Sequence, residues 1–281
     1  VRKRKRRVKR PPNTSRTPLF DVTASPPDDA GEGDFSPEVM ETFLASFVRV
    51  TDPVEAEVLG SMFLGAVGFF GVDMTAACRL VTAIEAAGDP RAAGMLAVLG
   101  ALDEGPIGEA ATAGLDRLQA CGIVPPEWMA ALSVPVTAHD CVGLSHDGGP
   151  ALVLAACFDR AGIEHAMMLM VVSLDCGDAD KIVLLDSPDL AGELAELRRN
   201  AKRDKVLLTP TALDPAEFRW QAEAMMDARD RRDRYKRAYS FDPNDLGDED
   251  GPGYRCMAPL LRARLRALPL AGETEAAARR G

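Results

Sequence analysis

Aromatic side chains are scarce: ten Phe, three Tyr and two Trp make up 5% of 281 residues. A core in this chain must therefore rest on Ala, Val, Leu and Met. No apolar run approaches the roughly 20 residues that span a bilayer. The longest, HAMMLMVVSL, has the length of a strand. The six cysteines, Cys78, Cys121, Cys141, Cys157, Cys176 and Cys256, include no C-x-x-C pair. They read as small buried hydrophobes with reduced thiols. A Walker A loop, a G-x-G-x-x-G after a strand and an H-E-x-x-H are all missing, so none of those chemistries is indicated. Nothing in the composition calls for a cofactor.

What the sequence does have is a charge imbalance. The chain carries a formal net charge of −10, yet its first ten residues, VRKRKRRVKR, hold eight cations. These are Arg2, Lys3, Arg4, Lys5, Arg6, Arg7, Lys9 and Arg10. Taking them from the total leaves −18 for the rest. The basic run could imitate the start of a secretory signal, but prolines and small polar residues follow where an apolar segment would be needed. Two early prolines also disfavour an amphipathic presequence helix. A cytoplasmic protein with no membrane partner is expected.

Residues 1–34 combine charge blocks, prolines and small polar residues, and are expected to be disordered. The segment is split by sign, since Asp21, Asp28, Asp29, Glu32 and Asp34 follow the basic arm. Order is expected from SPEVMETFLASFVRV, with Ser36 as cap and Pro37 at the first helical position. Asp52 and Pro53 repeat that signature before the stripe Val54, Val58, Leu59, Met62 and Phe63. Further helices are expected from Asp73 to Ile84, in RAAGMLAVLGALDEG, and in a stretch ending at Gly122. Short Gly/Pro punctuation makes these five an antiparallel array.

The texture changes after VPPEWMAALSVPV. PALVLAACF and EHAMMLMVVSLD are nearly continuous apolar runs joined by a turn at Gly162, which predicts a hairpin covered on both faces. KIVLLDS is a third strand candidate. Helix returns with Ser187 as cap before Pro188, and again with Asp214 before Pro215. The end of the latter helix, RDRRDRYKR, alternates cations with aspartates, a pattern expected of a solvent-facing or partner-facing surface. The fold class is α+β, mostly α: a helical array, a small antiparallel sheet and C-terminal helices. The expected organisation is a tail over 1–34, a helical domain over 35–132, an α+β domain over 133–270 and a tail over 271–281.

Three stretches could carry chemistry. The arm can neutralise phosphates on RNA or DNA, and its lack of aromatics argues against base stacking. The competing reading is a solubilising tail. The second stretch is HDCVGLSHDGG, because His139, His146 and His165 are all the histidines of the chain. His139, Cys141 and His146 could supply three metal ligands, with Cys157, Asp175 and Cys176 nearby in sequence. Their spacing fits no standard zinc pattern, so no metal is expected. Cys141 with His139 or His146 and Asp140 or Asp147 has the residue types of a thiol nucleophile, but no oxyanion-hole motif accompanies them. The third stretch has Asp242, Asn244 and Gly247 in the register of a calcium loop. Leu246 and Gly253 stand where ligands are required, which excludes an EF-hand.

The stretches VTDPVEAEVLGSMFLGAV, RLQACGIVPPEWMAAL, EHAMMLMVVSLDCGDADKIVLLD and LLRARLRALP resemble a group of actinobacterial proteins of unassigned function. Cys176 and Gly177 depart from the group's pattern in the acidic turn. The resemblance implies the same order of elements over residues 40–270 and brings no activity, substrate or partner. The leading expectation is a non-catalytic binding protein whose arm contacts a polyanion and whose body holds a protein partner. The alternatives are a metal- or cysteine-dependent enzyme centred on residues 139–176, and an interaction module with a non-specific tail.

Overall fold

The computed structural model describes residues 37–171, 178–236, 247–248 and 251–270. Five helices come first: α1 (Pro37–Ser46), α2 (Pro53–Phe69), α3 (Met74–Ala86), α4 (Pro90–Leu102) and α5 (Pro106–Ala120). Their starts are local chemistry. Asp52 Oδ1 accepts from the N–H groups of Val54 and Glu55, Asp73 from that of Ala76, and Asp89 from those of Arg91 and Ala92. Each such cap satisfies otherwise orphaned donors and contributes about 1 kcal/mol. A four-residue helix, α6 (Met129–Leu132), leads into the sheet.

The sheet has five strands: β1 (Thr137–His146), β2 (Ala151–Arg160), β3 (Ile163–Val171), β4 (Ala179–Asp186) and β5 (Leu208–Ala212). Their order is β4-β3-β2-β1-β5 and every neighbouring pair is antiparallel. The expected hairpin is β2–β3, pairing Arg160 with Ile163 and Val153 with Met170. Ala161 and Gly162 between them have φ of 56° and 81°, the two positive values of a tight hairpin turn whose twist matches the strands. Asp147 (φ 51°) and Gly148 (φ 70°) turn β1 into β2 in the same way.

Both faces of the sheet are covered, by different helices. Leu154, Ala156 and Phe158 of β2 join the main core with Phe218, Ala222 and Met226 of α8 (Pro215–Lys236) and Met257, Leu260 and Leu261 of α9 (Tyr254–Arg266). That same core continues through α1 to α5. On the other face, Ala155, Cys157 and Met168 pack under Leu190, Leu194 and Leu197 of α7 (Leu190–Arg203). Before α9, β6 (Gly247–Asp248) and β7 (Gly251–Pro252) form a short ladder.

Helix α2 is buried on nearly every side, because α9 lies against the face opposite its apolar stripe. Glu57, Ser61 and Gly65 follow one another at four-residue intervals along that seam. Pro259 sits inside α9 and has no N–H to give to Arg255 O. Ser61 Oγ bridges the next rung, accepting from Leu260 N at 3.0 Å and donating to Cys256 O at 2.6 Å. At Gly65 the backbones close in: a Cβ there would lie 2.5 Å from Arg255 O.

Two expectations change on inspection. The Ser187 hydroxyl does not cap α7; the chain makes a 3-10 turn over Ser187–Asp189, and Ser187 Oγ donates to Cys157 Sγ at 3.1 Å. The charged end of α8 is not simply a solvent face. Arg229 and Asp233 are buried and paired at 2.9 Å, Arg232 reaches buried Asp178, and Arg255 of α9 meets Asp233 at 2.9 Å. The arginine–aspartate alternation ties α8 to β4 and α9 as well as to itself.

Candidate functional site

The arm residues Arg2, Lys3, Arg4, Lys5, Arg6, Arg7, Lys9 and Arg10 lie outside the described residues, as do Ser36, Asp175, Cys176, Asp242, Asn244 and Leu246. The three histidines are dispersed. His146 ends β1, with Nδ1 3.1 Å from Leu207 O. His165 is buried among helices on the main-core face, and Cys141 belongs to that core too. His139, Cys141 and His146 therefore do not converge.

A different set does. His139 pairs directly across the ladder with Cys157, and their register shifts before Val142. Within that bulge Asp140 has φ 51°. In a regular strand neighbouring side chains alternate between faces, and a bulge re-aims one of them. The ligand atoms of His139, Asp140 and Cys157 accordingly lie within 4.8 Å of one another. His139 Nδ1 is 3.1 Å from Asp140 Oδ2, and its Nε2 is 3.7 Å from Glu164 Oε1 on β3. The thiol is buried, while the histidine and the carboxylates are open to solvent. Burial pushes the Cys157 thiol up; Asp140 and Glu164 push the same way, and the Ser187 hydroxyl opposes them. Cys141 is pushed up to about 11, by burial first and by Asp140 next. Both shifts run opposite to the activation a nucleophilic cysteine requires.

A second cluster lies inside. Arg264 is wholly buried and forks onto both oxygens of Glu57, with Nη1 2.8 Å from Oε1. Arg160 Nη1 reaches the same Oε1 at 2.6 Å, and Arg264 Nε donates to His165 Nε2 at 3.1 Å. Burial alone would raise the Glu57 carboxyl, but Arg264 and Arg160 outweigh it and hold the group below its ordinary value. His165 is driven down to about 3, by burial first and by the Arg264 charge next. The imidazole is thus neutral, and accepting at Nε2 leaves its proton on Nδ1. The cluster is walled in by Phe158, stacked 5.8 Å from the His165 ring, and clamps α2, β2, β3 and α9 together. Its geometry is that of a structural tie.

The surface holds a third feature. In residues 198–205, Arg198, Arg199, Lys202, Arg203 and Lys205 are exposed at the end of α7, with Asp204 as the single acid. Among the described residues none of these five takes part in an ion pair; Arg198 Nε donates to Leu208 O and Arg203 Nη1 to Asn200 Oδ1. Elsewhere Arg91, Arg117, Arg219, Arg262 and Arg266 all meet carboxylates. Sequence reasoning passed over this patch, although RRNAKRDK carries it plainly. A groove of about 520 Å³ between α4 and α5 is acidic, lined by Asp103, Glu104, Glu109 and Asp116.

Compared with known proteins, the chain matches no family model, no curated protein and no solved structure. The functional reading therefore rests on these side chains. No helix among the described residues is long and apolar enough to cross a membrane.

Proposed function

We propose that the protein binds a polyanion of the RNA or DNA type through its phosphates, without reading sequence. The basic arm Arg2–Arg10 supplies one set of cations and the end of α7 a second. The observation that carries this reading is the contrast in how cations are used. Most arginines of the folded body are committed to carboxylates, and the exposed exceptions Arg49, Arg79, Arg231 and Arg234 stand in ones and twos, whereas the three arginines and two lysines at 198–205 are gathered within eight residues, exposed and outside any ion pair among the described residues. Cations held in internal pairs cannot neutralise phosphates; exposed ones release counterions when they do. Phosphate contacts position a nucleic acid without specifying its sequence, and neither cation set offers an aromatic platform for bases.

The test is a titration of labelled single-stranded RNA with the full chain and with an Arg199→Glu, Lys202→Glu, Arg203→Glu variant. All three positions are exposed, so circular dichroism should be unchanged. The reading expects affinity to fall by at least about tenfold for every RNA sequence alike. Unchanged affinity, or a loss confined to one sequence, would refute it.

A further inference from the structure

We propose that His139, Asp140 and Cys157 form a binding site for a divalent ion of the zinc type, with a fourth position open to solvent. The proposal is independent of polyanion binding. It starts from geometry. Three different donor classes, an imidazole nitrogen, a carboxylate oxygen and a thiol sulfur, already lie within 4.8 Å of one another. Zinc takes these donors at about 2.0–2.3 Å, which sets tetrahedral ligands about 3.5 Å apart. Closing the set needs movements of about 1 Å, within reach of side-chain rotation at His139 and Asp140, both exposed.

The surroundings supply what a metal site needs beyond its ligands. Metal-binding histidines are held by a hydrogen bond from the other ring nitrogen to a carboxylate. With His139 Nδ1 turned to Asp140, Nε2 faces Glu164 Oε1 at 3.7 Å. Nδ1 then offers its lone pair to the ion, and Nε2–H is left facing Glu164, whose exposed side chain has to close by about 0.7 Å to accept from it. On the other side, Ser187 Oγ donates to Cys157 Sγ at 3.1 Å and stabilises a thiolate. Binding forms a metal–sulfur bond as the Cys157 S–H proton leaves to solvent. One thiolate and one ligand carboxylate then neutralise the ion's two charges.

Signals for this set were only half present in the sequence. His139 and Cys157 were visible as candidates, but Cys141 looked the nearer thiol. The strand register places Cys157 opposite His139 and commits Cys141 to the core on the other face.

The experiment is a titration of the reduced full chain with Co²⁺, followed by displacement with Zn²⁺. The expected result is one Co²⁺ per chain, a thiolate-to-cobalt absorption band in the near ultraviolet, and loss of the band on adding Zn²⁺. Cys157→Ser should remove the band. His139→Ala, at an exposed position, should remove tight binding while the fold is unchanged, which keeps the test valid if Cys157→Ser fails to fold. Glu164→Gln, which leaves all ligands in place, should weaken binding by about 10–100-fold. A band that survives His139→Ala, or that is lost in Cys141→Ser while the fold is retained, would overturn the assignment, as would absence of any thiolate band in the unmodified chain.

Discussion

Acidification should loosen this protein well before its carboxylates titrate, and the cause is one imidazole. His165 faces the Arg264 guanidinium, the Glu57 carboxylate and Arg160, with the Phe158 ring stacked on it. Burial and Arg264 drive its pKa from an ordinary 6.5 down to about 3. The unfolded chain therefore binds a proton at His165 that the folded chain refuses. Its contribution to stability is complete above pH 6.5 and is lost progressively as pH falls toward about 3. The loss runs at about 1.4 kcal/mol per pH unit, so moving from neutrality to about pH 5 costs about 2 kcal/mol. That is a sizeable share of the 5–15 kcal/mol that usually holds a domain together. Glu57 also has a depressed pKa, but its contribution fades only below its ordinary 4.5. The window from about pH 6.5 to about 5 therefore isolates the histidine. Urea denaturation across that window should give a falling midpoint in the unmodified protein. In His165→Gln, whose amide oxygen can still accept from Arg264, the fall over that window should be nearly abolished. An equal fall in both proteins would show that another group titrates and that the cluster has been misread.

Two packing predictions stand beside it. Gly65→Ala forces a methyl against Arg255 O at the α2–α9 crossing, and overpacking of this kind should cost about 1–3 kcal/mol in chemical denaturation; a neutral substitution would mean the helices are not so close. Met168→Asp and Val153→Asp each place a charge beneath α7 and should abolish cooperative unfolding, because the carboxylate loses its hydration without gaining a partner; soluble, cooperatively folded variants would place α7 elsewhere.

Local rules made the helical array legible. Asp52 and Pro53 announce a helix start within three residues, and the side-chain cap forms as that pattern requires; Asp89 and Pro90 cap α4 in the same way, although the fourth helix was expected only from Arg91. The strands β2, β3 and β4 were readable because their apolarity is nearly continuous. Strand β1 was not, since HDCVGLSH mixes polar and apolar residues around a bulge; the Asp147–Gly148 turn was the overlooked hairpin signal. Strand β5, LTPTA, is short, polar and carries Pro210, which only an edge strand tolerates. The Glu57–Ser61–Gly65 seam was invisible because its partners lie about two hundred residues away. The aspartates of α8 suggested pairing within the helix, and the alternation alone could not show that Asp178 and Arg255 share those charges. The His139, Asp140 and Cys157 convergence depended on a register shift that no pattern of residue types encodes.

The central claim is that the cations of the arm and the exposed cations at the end of α7 hold a polyanion by its phosphates. Its most direct measurement is the slope of log affinity against log salt for labelled single-stranded RNA, taken for the full chain and for a chain lacking residues 1–12. Each phosphate engaged adds roughly 0.7 to the slope on a single strand. If five or six arm cations engage, the slope should differ between the two proteins by about 4, with a weaker residual dependence left from α7. The melting temperature should be the same for both. Equal slopes and equal affinities in the two proteins would contradict the claim.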